Sequence, residues 1–119
     1  MFGVENRSRI LFRGAVALGL TIRHKEITKK INSIKIPDEL HSDLKDNLEN
    51  MLISSSGYYT SRCTAYEYLL KYIKESDETH IDTVIQQLTN AKDFSKQYKM
   101  YADMLFAKTG LPDDFKDKD

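Results

Sequence analysis

Two hydrophobic seams run side by side and in unbroken phase through the middle of the sequence, and they constrain the fold more than any other feature. One reads Leu44, Leu48, Met51, Ser55, Tyr58, Arg62, Ala65, Leu69, Tyr72, and the other Leu52, Ser56, Tyr59, Cys63, Tyr66, Leu70, Ile73. Both step alternately by four and three, the rhythm of a helix pressed on another helix, and two adjacent seams require a neighbour on each flank. The pattern predicts an all-α fold, an up-down-up antiparallel three-helix array or bundle with a long central helix.

The central helix is expected from Pro37, which suits a first helical position, with Asp38 and Glu39 at the positive end of the dipole, to about Glu75. Ser54, Ser55, Ser56 and Gly57 have the composition of a loop, but an inserted loop would shift the seam phase, and the phase does not shift. A continuous helix follows; a break at 54–57 would instead make a four-helix bundle. The first helix is expected from about Val4 to Ile34 on the seam Ile10, Arg13, Ala17, Leu20, His24, Ile27, Ile31, Ile34. If the chain folds back around residues 35 and 36, residue 15 stands level with residue 56. The small run from Gly14 to Gly19 then faces Ser54 to Gly57, and a larger residue at either glycine overpacks. Thr79 and Asp82 resemble a capping box opening a third helix, whose heptad reads Val84, Leu88, Ala91, Ser95, Tyr98, Ala102, Leu105 and stops at Gly110-Leu111-Pro112. Residues 1–112 form one domain in this reading, and residues 113–119 a charged, disordered tail.

A chain of 119 residues that is 40% hydrophobic and 30% charged can bury a core unaided, and two Pro and five Gly are too few for the turns of an all-β fold. Cys63 is the only cysteine, which leaves no internal disulfide or cysteine zinc cluster and points to a reducing, cytoplasmic setting. The apolar run from Ile10 to Ile22 is interrupted by Arg13 and falls short of the roughly 20 residues that span a bilayer. Arg23, His24 and Lys25 follow it in place of a cleavage motif, so neither a membrane span nor a targeting segment is expected.

Catalytic signals are weak. No phosphate loop, nucleophile elbow or metalloprotease motif occurs. Asp38 with His41 and Asp77 with His80 share a helical spacing, but each pair opens a different antiparallel helix, so the aspartates read as dipole and cap residues rather than ligands of a shared metal. His24 reads as a core histidine, and Cys63 as a small buried hydrophobe with no histidine at its height. No catalytic residue, cofactor, metal or small-molecule substrate is expected.

Helix 1 carries the functional expectation, because residues 10–22 are apolar nearly all round. Leu11, Ala15, Leu18 and Ile22 form one row and Phe12, Val16 and Leu20 another, and only one row can face helix 2. Together with Tyr68 at the rim, these residues predict a non-catalytic protein-protein interaction module: an adaptor, chaperone, inhibitor or immunity-type binder. It would self-associate through helix 1 as a homodimer or larger and bind another protein besides. The alternative is nucleic-acid binding through Arg7, Arg9, Arg13, Arg23, Lys25, Lys29 and Lys30. Residues 1–35 hold eight basic and two acidic groups, net +6, against −6 for the remainder. No groove-reading motif accompanies that charge.

Overall fold

The computed structural model describes the backbone of residues 4–110 and the side chains of residues 16–110. Three helices fill it: α1 Val4–Asn32, α2 Ser42–Glu75 and α3 Thr79–Thr109. α2 packs against both neighbours while α1 and α3 hardly touch, so the architecture is an open up-down-up array elongated to 60 × 27 × 21 Å rather than a closed bundle. The expected tail at 113–119 lies outside the described residues.

Ser54 to Gly57 lie inside α2, as the unbroken seam phase predicts. The helix starts later than Pro37, at Ser42. Pro37 instead heads a turn in which the Leu40 amide donates to its carbonyl at 3.4 Å, and the His41 ring nitrogen accepts from the Asp43 amide at the true N-terminus. At the other end Ser76 takes a left-handed conformation with φ 55°, and its amide donates to the Tyr72 carbonyl. The expected Thr79–Asp82 capping box does not form; Asp77 accepts both the Thr79 amide and the Thr79 hydroxyl, at 3.0 and 2.7 Å. Gly110 closes α3 with φ 69°, its amide donating to the Phe106 carbonyl, as its position after the last heptad predicts.

The register of α1 on α2 corrects the expected pairing of small residues. Ser56 donates to Asn32 at 2.9 Å and Lys25 meets Glu67 at 2.9 Å, so residue 32, not residue 15, stands level with residue 56. The cause is the connection. Residues 33–41 are not a tight turn; they run back along the first turns of α2, tied by the Lys45–Asp38 ion pair at 3.0 Å, and α1 ends about 21 Å above the start of α2. Gly19 consequently faces open space, with nothing within 4 Å of an added Cβ, and no overpacking arises there. The side chain positions beside Gly14 lie outside the described set.

Gly57 faces α3. A Cβ on it would stand 2.6 Å from the Phe94 ring, so the absent side chain lets α3 close on α2. Along the same face of α2 Asn47, Ser54, Ser61 and Ala65 are all buried, and among the described residues the buried apolar ones are small: Ala17, Cys63, Ala65 and Ala91. Asn47 fixes this contact lengthwise, its amide donating to the Tyr101 carbonyl at 2.6 Å and its oxygen accepting from Lys108 at 3.3 Å. The core therefore depends on close helix approach rather than on large interdigitating side chains. Replacing Gly57 by Leu is expected to lower stability by about 1–3 kcal/mol through overpacking, with partial recovery on adding Phe94→Ala. Gly19→Ala should raise stability by up to about 1 kcal/mol through helix propensity. Urea unfolding of the three variants checks both, and equal effects at the two glycines would contradict the assignment.

Candidate functional site

α1 meets α2 through Ala17, Thr21 and His24, all buried. This is the single seam of the sequence with Thr21 added, and it coincides with neither of the two apolar rows expected to compete for it. The polar groups on this face are satisfied by their own helix: Thr21 donates to the Ala17 carbonyl at 2.8 Å and Thr28 to that of His24 at 2.9 Å. His24 Nδ1 lies 2.8 Å from the Leu20 carbonyl, which can only accept, so Nδ1 carries the proton. The larger apolar groups point elsewhere. Val16, Leu18 and Ile22 are 44%, 51% and 53% exposed, and Leu20 is half-buried. Leu11, Phe12 and Ala15 have side chains outside the described set.

The His24 ring sits edge-on to Tyr59 and Tyr66, with centroids 5.3 and 5.4 Å away. Those tyrosines flank Cys63 on its seam, so a histidine does stand at the height of Cys63, contrary to expectation. It does not activate the thiol. Burial pushes the Cys63 thiol up, and the Glu67 carboxylate, 3.6 Å from Sγ, pushes it further, which keeps it protonated. Burial holds His24 below its ordinary value against the opposing pull of the Leu20 hydrogen bond, and Arg62 and Arg23 add to the depression.

Between α1 and α3 a strip of α2 is covered by neither neighbour. Leu48, Met51, Ser55, Tyr58 and Arg62 are half-buried along it. Three adjoining hollows of about 380, 260 and 360 Å³ make one crevice. The first is apolar, with Ile31, Leu48 and Met51; the second, centred on Tyr58 and Tyr59, shares Ser55 and Tyr98 with it; the third holds Arg62, Leu88 and Lys92 and shares Tyr58 and Ser95 with the second. Arg62 is clamped between two phenols. Its Nε donates to the Tyr66 hydroxyl at 3.1 Å, its other nitrogens donate to the Tyr58 and Tyr66 hydroxyls, and its Cζ lies 5.3 and 5.6 Å from their ring centroids. In the sequence Arg62 falls on the first seam, and its four-residue spacing from both Tyr58 and Tyr66 is the signal of the clamp.

The remaining candidates are dispersed. Tyr68 is half-buried, edge-on to His80 and 4.4 Å from the Lys71 ammonium. Arg23, Lys29 and Lys30 are exposed, whereas Lys25 is engaged by Glu67; Arg7, Arg9 and Arg13 have side chains outside the described set. Asp38 pairs with Lys45 and His80 with Glu75 at 2.7 Å, and among the described residues no three metal-ligating side chains converge. No described helix is long and apolar enough to cross a membrane. Comparison with protein-family models, curated proteins and solved structures returned no match.

His24 sets a pH dependence. Its folded-state pKa lies below the ordinary 6.5, so its contribution is fully present above about 6.5 and is lost as the pH falls below that value, where the unfolded chain takes up a proton that the folded chain refuses. Wild type should lose more stability than His24→Gln between pH 8 and pH values near 5 in urea unfolding. Parallel loss in the two proteins would exclude His24 as the cause.

Proposed function

We propose that this chain is a non-catalytic helical protein-protein interaction module, of the adaptor, chaperone, inhibitor or immunity-type class, which self-associates through α1 in a reducing cytoplasmic setting. One observation carries the reading. α1 turns Ala17, Thr21 and His24 toward α2 and leaves Val16, Leu18 and Ile22 in water, which is the reverse of what a helix serving only its own fold requires.

Magnitudes set the expected strength. Full burial of a Val, Leu or Ile side chain is worth roughly 1.5–3 kcal/mol, and side chains already half-covered recover about half of that. Two copies of the strip together supply several kcal/mol, near the lower end of the ~4–15 kcal/mol that association costs in lost freedom. A concentration-dependent homodimer follows, with α1 at its centre and tyrosines such as Tyr68 toward the rim. Nucleic-acid binding is the less favoured reading, because Lys25 is already committed to Glu67.

Sedimentation over a range of concentrations tests the proposal. Leu18→Asp and Ile22→Asp, at exposed positions, should give folded monomers with unchanged helical circular dichroism. A wild-type chain that stays monomeric at the highest concentrations would refute self-association, and unfolding of either variant would place its row in the core instead.

A further inference from the structure

The three hollows of the crevice are lined by three cations, Lys35, Arg62 and Lys92, and by no carboxylate; Asp38 and Glu49 line the neighbouring hollow on the far side of Ile34, Lys35 and Ile36. Arg62 is the informative one. It is half-buried, and its partners are two neutral phenols, with no ion pair to Asp or Glu among the described residues. The hydrogen bonds from Tyr66 and Tyr58 outweigh its partial desolvation and hold the guanidinium charged, but they do not neutralise it. Tyr58 and Tyr66 accept its N–H groups on their oxygen lone pairs, which leaves each phenol hydrogen available to donate. Three of the five guanidinium hydrogens are used by these phenols, and the others remain as donors. The result is a convergent set of donors with a positive charge at its centre, the complement of a carboxylate.

The dimensions and chemistry of the crevice specify what brings that carboxylate. Leu48 and Arg62 are about 21 Å apart along α2, or roughly four helical turns; the Leu48 end is lined mainly by apolar side chains with Lys35 as its one charge, and the Arg62 end carries Arg62 and Lys92. α3 walls one side of the crevice, and Ile31 of α1 with Ile34, Ile36 and Pro37 of the connection walls the other at the Leu48 end, so a helix added along α2 would turn the open three-helix array into a four-helix arrangement. We propose that the crevice takes an acidic amphipathic helix from a partner protein, laid along α2 with its apolar side chains against Leu48 and Met51 and a carboxylate on Arg62. The two faces a second copy would offer in a symmetric pairing fit the charge badly: crevice on crevice brings cations against cations, and the α1 face carries exposed Arg23, Lys29 and Lys30. The inference rests on the reading of the chain as an interaction module, but it concerns a different face from the Val16–Ile22 strip.

The test uses the full chain and a labelled synthetic helix of about twenty residues, with Leu on one face and Glu on the other, beside a twin carrying Lys for Glu. Fluorescence anisotropy should show saturable binding of the Glu peptide and none of the Lys peptide, with affinity falling as salt rises. Arg62→Met, checked for retained helicity, and Lys92→Glu, at an exposed position, should each weaken binding by about tenfold or more, while Leu18→Asp leaves it unchanged. Absence of Glu-peptide binding at millimolar concentration, equal binding of the two peptides, or indifference to both crevice substitutions overturns the proposal. So does a wild-type dimer that protects the Tyr58 and Tyr98 region from hydrogen exchange, since a second copy would then occupy the crevice. A monomeric wild type that still binds the Glu peptide refutes self-association alone.

Discussion

α3 lies on α2 so closely that the Phe94 ring covers the place where a side chain on residue 57 would be, and the rest of the molecule is arranged by that approach. The row that permits it, Asn47, Ser54, Gly57, Ser61 and Ala65, is made of residues too small to hold helices at an ordinary distance. Backbones come together, gains accrue from many short dispersion contacts, and the Asn47 amide bonded to the Tyr101 carbonyl keeps the two helices from sliding. The larger side chains of the central seams are displaced to the flank. Leu48, Met51 and Tyr58 therefore lie in a half-open crevice, not in a sealed core.

α1 solves a different problem by a similar economy. A helix face built from Ala17, Thr21, His24 and Thr28 can be placed against α2 only because its polar groups bond back to carbonyls of their own helix, so no donor is orphaned by the contact. That face contributes little apolar burial. Its specificity comes from fitted rings, with the His24 imidazole between Tyr59 and Tyr66, and from the Lys25–Glu67 pair at the exposed edge. An exposed pair of this kind positions more than it stabilises.

The helix count, the continuity of α2 through Ser54 to Gly57 and the Gly110 stop were all legible, since each follows from unbroken periodicity or from a backbone conformation that glycine supplies cheaply. The register of α1 was not. Hydrophobic phase defines which side of a helix faces inward but says nothing of how far one helix slides along another; the offset goes with the path of residues 33–41 along the start of α2. The α3-facing row of α2 was hidden for another reason. Serine, asparagine and glycine register as polar or as loop formers in a periodicity search, and only the presence of Phe94 opposite Gly57 reveals them as a contact surface. The Arg62 clamp was visible as spacing, but its lack of a counter-charge is a property of three helices together.

The nine residues 33–41 joining α1 to α2 also bear on how the molecule comes apart. α2 and α3 are joined by a short turn at Ser76–Glu78 and locked by close contact, so they form a cooperative hairpin that opens last. α1 is held through Ala17, Thr21 and His24 and the Tyr59 and Tyr66 rings, a contact less close than that of α3, so it is the element expected to open first, with its amides losing protection below the energy of global unfolding. A released α1 on a tether of that length competes for its own vacated face at high effective concentration, and for a neighbour's only when the protein is concentrated. A dimer formed by reciprocal exchange of the first helix would use only the contacts of the single chain, and would be distinguished from the proposed α1 dimer by its dependence on the length of the 33–41 connection.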